Sequence, residues 1–85
     1  MTEQKALQIL KDENLKYYNW YNSENLREDQ VVILKKDSQW CVCVTSERAS
    51  IMPETEFHFQ IESKALEDFI SRVRSMNRLK NRVWQ

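Results

Sequence analysis

The feature that most constrains this chain is that none of its 85 residues is glycine. Average usage would give roughly six glycines in a chain of this length. Glycine adopts a left-handed backbone at no steric cost, so tight turns in this chain have to use Asn, Asp or Ser instead. The loops that cradle nucleotide phosphates also need glycine, because the backbone approaches the phosphates closely. The missing glycines therefore exclude the main nucleotide-binding motifs.

The length and composition are those of one small globular domain over residues 1–85. Hydrophobic residues make up 41% of the chain and charged residues 31%, so we expect a folded core rather than disorder. No apolar run follows Met1, and no stretch approaches the roughly 18 apolar residues that span a bilayer. We therefore expect neither a signal peptide nor a membrane segment, and a cytoplasmic location.

Two segments have the period of amphipathic helices. Thr2 is a suitable N-cap for a helix over residues 3–13, and Asn14 can end that helix. Over residues 64–80 apolar residues recur at spacings of three and four, which predicts a longer second helix. The apolar stripe of this second helix consists of Ala65, Leu66, Phe69, Ile70, Val73 and Met76.

The residues between these helices have the composition and alternation of strands. The four predicted strands are LKYYNWY (15–21), VVILKK (31–36), QWCVCVT (39–45) and TEFHFQI (55–61). Asp37 and Ser38 supply a turn between the second and third strands. The order predicts an α+β fold, α-β-β-β-β-α, in which a four-stranded antiparallel sheet has both terminal helices on one face and an open second face.

The residue types that catalyse reactions are scarce. His58 is the only histidine, and the alternation of its strand places it on the open face, beside Glu56. Cys41 and Cys43 are two residues apart, so a bridge between them would be strained, and we expect reduced thiols. A reactive Cys–His pair and a zinc site of both cysteines with His58 are alternatives that the residues leave open. We expect no enzyme, no metal and no cofactor.

The charge is segregated although the formal net charge is zero. Residues 71–85 hold five basic residues and no acidic one, whereas residues 1–70 hold 13 acidic and 8 basic residues. A basic helix favours a nucleic-acid-binding regulator, because phosphates attract clustered Lys and Arg. The acidic body opposes this interpretation, and the basic side chains could instead pair with it. The basic residues concerned are Arg72, Arg74, Arg78, Lys80 and Arg82.

The aromatic cluster at residues 17–21 favours a protein interface. Alternation cannot bury all of these rings under one pair of helices, so we expect Tyr18 or Trp20 on the open face or its rim. Exposed aromatic residues ringed by carboxylates are typical anchors of protein interfaces. The alternatives are that the loop over residues 22–30 covers the aromatic residue, or that the aromatics and Trp84 form a homo-oligomeric interface.

A family resemblance supports the interface. The strand that runs into TSER (45–48), and the helix containing Ala65-Leu66 and Phe69-Ile70, resemble the small bacterial immunity proteins of polymorphic toxin systems, in particular the family catalogued as immunity protein fifty-nine. The sequence has Ala49 where that family often has glycine. The resemblance implies a cytoplasmic protein that binds one cognate toxin domain and blocks its active site.

We therefore predict a non-catalytic protein-binding module that binds a cognate protein toxin through the open sheet face and its adjoining loops, with no small-molecule substrate. The aromatic side chains would anchor the partner, the carboxylates would match a basic surface, and the arginine would make a bidentate contact. The predicted partner-binding residues are Tyr18, Trp20, Glu47, Arg48, Glu54, Glu56 and His58.

Overall fold

The computed structural model describes the backbone of residues 1–83 and the side chains of residues 1–81, so Trp84 and the side chain of Arg82 lie outside it. The helices and strands are α1 (Glu3–Asp12), β1 (Tyr18–Trp20), β2 (Val31–Lys36), β3 (Gln39–Val44), β4 (Phe57–Phe59) and α2 (Glu62–Val83). Single 3₁₀ turns lie at Ser23–Asn25 and Pro53–Thr55. The α+β class and the order α-β-β-β-β-α are confirmed. Within residues 1–83, neither helix has an apolar stretch long enough to cross a membrane.

Helix α1 is bounded by the two residues that the sequence indicated. The Thr2 hydroxyl oxygen accepts a hydrogen bond from the Lys5 amide at 3.1 Å, as an N-cap does. Asn14 has a φ of 50° after the last turn. The amides of Asn14 and Leu15 donate to the carbonyls of Lys11 and Leu10, at 3.1 and 2.9 Å. These two bonds form a Schellman motif in which asparagine holds the position usually taken by glycine.

The antiparallel part of the sheet agrees with the prediction. Strands β2 and β3 form a hairpin closed by the pair Lys36 and Gln39, and the turn uses Asp37 with a φ of 55°. Strand β4 pairs antiparallel with β3, and the sheet order is β1-β2-β3-β4. The alternation of these strands therefore translates directly into two faces.

The prediction of a fully antiparallel sheet is wrong, because β1 pairs with β2 in parallel. Tyr18 lies opposite Val31, and Trp20 opposite Ile33. Two neighbouring parallel strands need a connection that returns the chain to the end of the sheet at which the first strand begins. Residues 21–30 provide this connection. Strand periodicity contains no information about this direction, since it depends on the path of the connecting segment.

One face of the sheet is covered by the helices, and we call it the helix face. Helix α2 lies across β2, β3 and β4, and α1 packs against α2. Phe69 at the centre is fully buried and meets the rings of Tyr18 and Trp20 edge-on, with centroids 6.2 and 5.8 Å away. The buried residues of this core are Ala6, Leu10, Val31, Ile33, Val42, Ala65, Leu66, Phe69, Ile70 and Val73.

The second face is closed by the chain's own loops, and we call it the loop face. The expectation of an open face is therefore wrong. The side chains of Val32, Leu34, Cys41 and Cys43 are buried there, and Leu26 and Ile51 pack against them from the segments 21–30 and 45–56. The crossing that makes β1 parallel to β2 also carries the first of these segments over the face.

Two buried polar residues hold the first loop in place. The Asn19 amide nitrogen donates to the carbonyls of Asn22 and Asn25 at 2.9 and 3.1 Å, and its oxygen accepts from the Asn22 amide. The Thr45 hydroxyl donates to the Arg27 carbonyl at 2.7 Å and accepts from the Gln30 amide at 2.8 Å. These bonds satisfy backbone groups that the loop would otherwise leave unpaired near the sheet.

The left-handed positions only partly follow the expectation that Asn, Asp and Ser replace glycine. Asn14, Asp29 and Asp37 fit it, whereas Tyr17, Tyr21 and Ala49 also have φ values of 53–64° and do not. The two tyrosines flank β1, where the Tyr17 carbonyl and the Tyr21 amide make the outer bonds of the parallel ladder with β2. Ladder bonds at both ends thus fix a conformation that their side chains disfavour.

Candidate functional site

Strand β4 forms one edge of the sheet and gives it two different surfaces. Its register places Phe57 opposite Val42 and His58 opposite Cys41. Phe57 therefore lies at the margin of the helix face and His58 at the margin of the loop face. The Pro53–Thr55 turn leads into the strand, and the Thr55 hydroxyl accepts from the Val44 amide at 2.8 Å.

Phe57 is a large apolar side chain of this edge that is 55% exposed. The guanidinium of Arg72 lies over its ring, 4.8 Å from the centroid, in a cation–π contact. The same guanidinium donates to the Thr55 carbonyl at 2.8 Å. Its Nε lies 3.0 Å from the Asp68 carboxylate, an ion pair without hydrogen-bond geometry. Three contacts therefore hold Arg72 against the exposed ring.

An apolar groove of about 260 Å³ continues from Arg72 along α2. Val44 and Met76 line it, and so does Leu79, which is 57% exposed. We call Phe57, Arg72, Met76 and Leu79 the edge surface. An exposed aromatic ring, an ordered guanidinium and an adjoining apolar groove are the features that anchor protein partners.

The other side of the edge brings together a thiol, a carboxylate and an imidazole. One ligand atom each of Cys41, Glu56 and His58 lies within 4.8 Å of the other two. The Cys41 thiol lies 3.7 Å from Glu56 Oε1, and Lys36 Nζ lies 3.9 Å from the same oxygen. Cys41 is buried, Glu56 half-buried and His58 exposed, so the cluster opens to solvent on one side.

The two cysteines are held as thiols. Burial, with Glu56 nearby, raises the pKa of Cys41, and burial beside Cys41 raises the pKa of Cys43 to about 12. A catalytic cysteine needs the opposite shift, since the thiolate is the nucleophile. The structure therefore brings Cys41 close to His58, as the Cys–His alternative requires, but in surroundings that disfavour a reactive thiolate.

Tyr18 and Trp20 do not lie where the sequence interpretation placed them. Both side chains are half-buried and pack on the helix face against Phe69, while Asn19 between them points to the loop face. The expectation that one of the two aromatic residues lies on an open face or its rim is wrong. The parallel register of β1 with β2 places both rings on the helix side, where they pack against Phe69 of α2.

The predicted charged residues remain accessible, but in separate places. Glu47 and Arg48 are exposed in the turn after β3, where the Arg48 amide donates to the Ser46 hydroxyl at 3.2 Å. Glu54 is exposed in the turn before β4. Glu54, Glu56 and His58 thus belong to one edge of the sheet, whereas Glu47 and Arg48 belong to a different loop.

The basic side chains of α2 are largely paired with acids of the body. Arg74 forms a two-bond pair with the Glu13 carboxylate at 3.0 and 2.5 Å, which lowers the pKa of Glu13 and raises that of Arg74. Lys80 lies 3.0 Å from Asp29. This is the pairing that the sequence left open as an alternative to phosphate binding.

Phe57 and Arg72 were not among the predicted partner-binding residues. Phe57 alternates with His58 and lies on the helix side, but β4 is an edge strand and α2 leaves more than half of the ring uncovered. Asp68 and Arg72 are four residues apart on one side of α2, a spacing that could have indicated an ordered arginine. That spacing contains no information about the contact between Arg72 and Phe57.

Comparison of this chain with family models, with curated proteins and with solved structures finds no match. The edge surface and the thiol–carboxylate–imidazole cluster are therefore the two features of the described residues from which a function can be inferred.

Proposed function

We propose that this chain is a non-catalytic protein-binding module that binds one partner protein through the edge surface. The observation that carries the proposal is the Phe57 ring, which is exposed although an ordered guanidinium lies against it. Aromatic and arginine side chains dominate the binding energy of protein interfaces. Because Thr55 and Asp68 already hold Arg72, binding would cost little of its rotamer entropy.

The groove gives this anchor a neighbouring cavity. Leu79 and Met76 extend the apolar surface away from Phe57, so a partner side chain could be buried beside the anchor pair. Glu54 is exposed near the same edge and supplies the polar rim that surrounds most interface cores. The proposed anchors, Phe57 and Arg72, thus replace the predicted Tyr18 and Trp20. Of the predicted carboxylates, Glu54 is kept.

The partner that we propose is a basic toxin domain, which this chain would inhibit as an immunity protein. Support comes from the sequence resemblance and from the acidic excess in residues 1–70. Opposite potentials accelerate encounter and discriminate between partners. The pairing of Arg74 and Lys80 with Glu13 and Asp29 makes a nucleic-acid ligand the weaker alternative, since these cations are already engaged.

Co-purification with the protein encoded beside this gene tests the proposal. The Phe57→Ala variant should lose about 2 kcal/mol or more of binding free energy, roughly a thirtyfold weaker Kd in calorimetry. Leu7→Ala is the matched control, because Leu7 is 45% exposed on α1, away from β4, and its truncation should leave the Kd unchanged. Equal binding by the two variants would contradict the edge surface.

The choice of partner is tested separately. Absence of binding to any toxin domain encoded nearby would overturn the immunity assignment. Light scattering distinguishes the homo-oligomeric alternative: a dimer that Phe57→Ala dissociates would make the partner a second copy of this chain. A steep fall with added salt of binding to random duplex DNA would favour the basic helix instead.

A further inference from the structure

The thiol–carboxylate–imidazole cluster on the loop side of β4 is separate from the edge surface, and the protein-binding proposal does not use it. Cys41 belongs to β3 and His58 to β4, and Glu56 lies between the Pro53–Thr55 turn and β4. Cys41 lies directly opposite His58 in the register, and Glu56 lies two residues before His58 along the same segment. The pairing of β3 with β4 therefore fixes the spacing of Cys41 and His58 before any ligand arrives, and Glu56 lies beside them. We propose that Cys41, Glu56 and His58 form a zinc-binding site.

The geometry is close to that of a zinc site. The three ligand atoms lie within 4.8 Å of one another. Tetrahedral zinc with bonds of about 2.0–2.3 Å requires ligand atoms about 3.3–3.6 Å apart. The remaining difference of roughly 1 Å is within reach of small side-chain rotations, because His58 is exposed and Glu56 is only half-buried.

The donor set favours zinc over magnesium and calcium. Sulfur, imidazole nitrogen and a single carboxylate suit Zn²⁺, whereas Mg²⁺ and Ca²⁺ prefer oxygen ligands throughout. Three protein ligands leave a fourth position, which faces the solvent side of the cluster and can hold water. On binding, the Cys41 S–H bond breaks and a sulfur–zinc bond forms, while the proton passes to solvent.

One present contact has to give way. Lys36 Nζ lies 3.9 Å from Glu56 Oε1, and a cation there opposes a metal ion. The side chain of Lys36 is 55% exposed, so its ammonium can turn into water at little cost. Removing this charge in Lys36→Met should therefore strengthen zinc binding, which a purely structural contact would not do.

A consequence for the fold follows from the positions of the ligands. Cys41 belongs to the central strand β3, while Glu56 and His58 belong to the edge segment, so the ion would tie a three-residue strand to the body of the sheet. Metal that binds only the folded chain stabilises it by mass action. Zinc should thus raise the thermal midpoint, and EDTA should reverse the rise.

Titration with Co²⁺ and with Zn²⁺ tests the site. The chain, purified in the presence of EDTA and then freed of it, should bind one ion with the near-ultraviolet charge-transfer absorption of a cobalt–thiolate bond. The variants His58→Ala and Glu56→Gln should weaken zinc binding at least about tenfold, as seen by calorimetry. Glu54→Gln is the matched control, because Glu54 is exposed nearby but outside the cluster.

Each outcome decides the proposal. The proposal would be overturned if the cobalt–thiolate absorption were absent, or if the chain did not bind one ion tightly. It would also be overturned if the His58→Ala variant bound zinc as tightly as the wild type. Cys41→Ser alters a buried position and is at risk of not folding, so the exposed His58 carries the test. No partner protein enters these experiments, and they can therefore fail or succeed independently of the proposed function.

Discussion

The two faces of this sheet are both buried, but by different means. On the helix face, side chains at helical and strand spacing meet around Phe69, and nearly all of the contacts are apolar. On the loop face, four small or medium apolar side chains lie under two irregular segments, the first of which is held by polar bonds from Asn19 and Thr45. This small domain thus covers one face of its sheet with helices and the other face with irregular loops.

The difference teaches where free surface has to be sought. A sheet with helices on one side suggests an open second side, and a partner would then bind over the strands. Here the crossing after β1 and the segment after β3 occupy that side. The apolar surface that the sheet itself leaves accessible therefore includes its edge, where β4 ends the strand order and leaves Phe57 partly uncovered.

The largest effect is expected on the helix face. Phe69→Ala should lower the free energy of unfolding by about 3–5 kcal/mol, because it removes a fully buried ring that contacts Tyr18 and Trp20. Urea denaturation monitored by tryptophan fluorescence measures this loss. Phe57→Ala removes the same atoms at an exposed position and should cost less than half as much. Similar losses for the two variants would remove the distinction between core and edge.

A smaller effect is expected from the polar support of the loop face. Asn19→Ala should cost about 1–3 kcal/mol, because the carbonyls of Asn22 and Asn25 lose their donor near the sheet. Asn22→Ala in the same loop retains these backbone bonds and should change the urea midpoint little. A neutral Asn19→Ala would show that the apolar contacts of Leu26 suffice to close this face.

Glycine at a left-handed position should increase the free energy of unfolding, whereas the preceding substitutions decrease it. Ala49→Gly should raise the free energy of unfolding by up to about 1 kcal/mol, since Ala49 has a φ of 61° that glycine adopts without strain. Ala65→Gly, in the buried stripe of α2, should lower it by roughly 1 kcal/mol or more. Thermal denaturation of both variants checks the pair, and equal signs would refute the strain at Ala49.

The smallest effect is expected for the exposed ion pair of Glu13 with Arg74. Because Arg74 lowers the pKa of Glu13, any stabilisation is present above the ordinary carboxyl pKa and is lost as the pH falls through the lowered pKa. The midpoints of the wild type and Glu13→Gln should differ slightly at neutral pH and converge in acid. A difference that grows in acid would have the wrong sign for this pair.

Much of the fold could be predicted because it depends on local patterns. The caps at Thr2 and Asn14, the stripe around Phe69 and the Asp37 turn are all decided by neighbouring residues. The direction of β1 could not be predicted in the same way. It depends on where residues 21–30 travel, and polar residues such as Asn19 reveal that path only when their partners are known.

The candidate site could be predicted only in part. Glu54, Glu56 and His58 were expected on or beside an open sheet face, and they lie instead along the β4 edge of a sheet whose two faces are covered. The approach of Cys41 to His58 depends on the register of β3 with β4, and the contact of Arg72 with Phe57 depends on how α2 lies over that edge. Both are tertiary contacts between segments that are distant in sequence, and the pattern of one segment does not indicate where the other packs.

The reactivity of the two thiols tests most directly that the loops close the second face. Cys41 and Cys43 are the only cysteines, and both lie on that face. Cys43 does not belong to the cluster that opens to solvent, and in metal-free native protein it should react with a thiol reagent at least about a hundredfold more slowly than in urea, because the loops must open first. Native rates equal to those in urea would show that the face is open and would contradict the assignment of binding to the sheet edge.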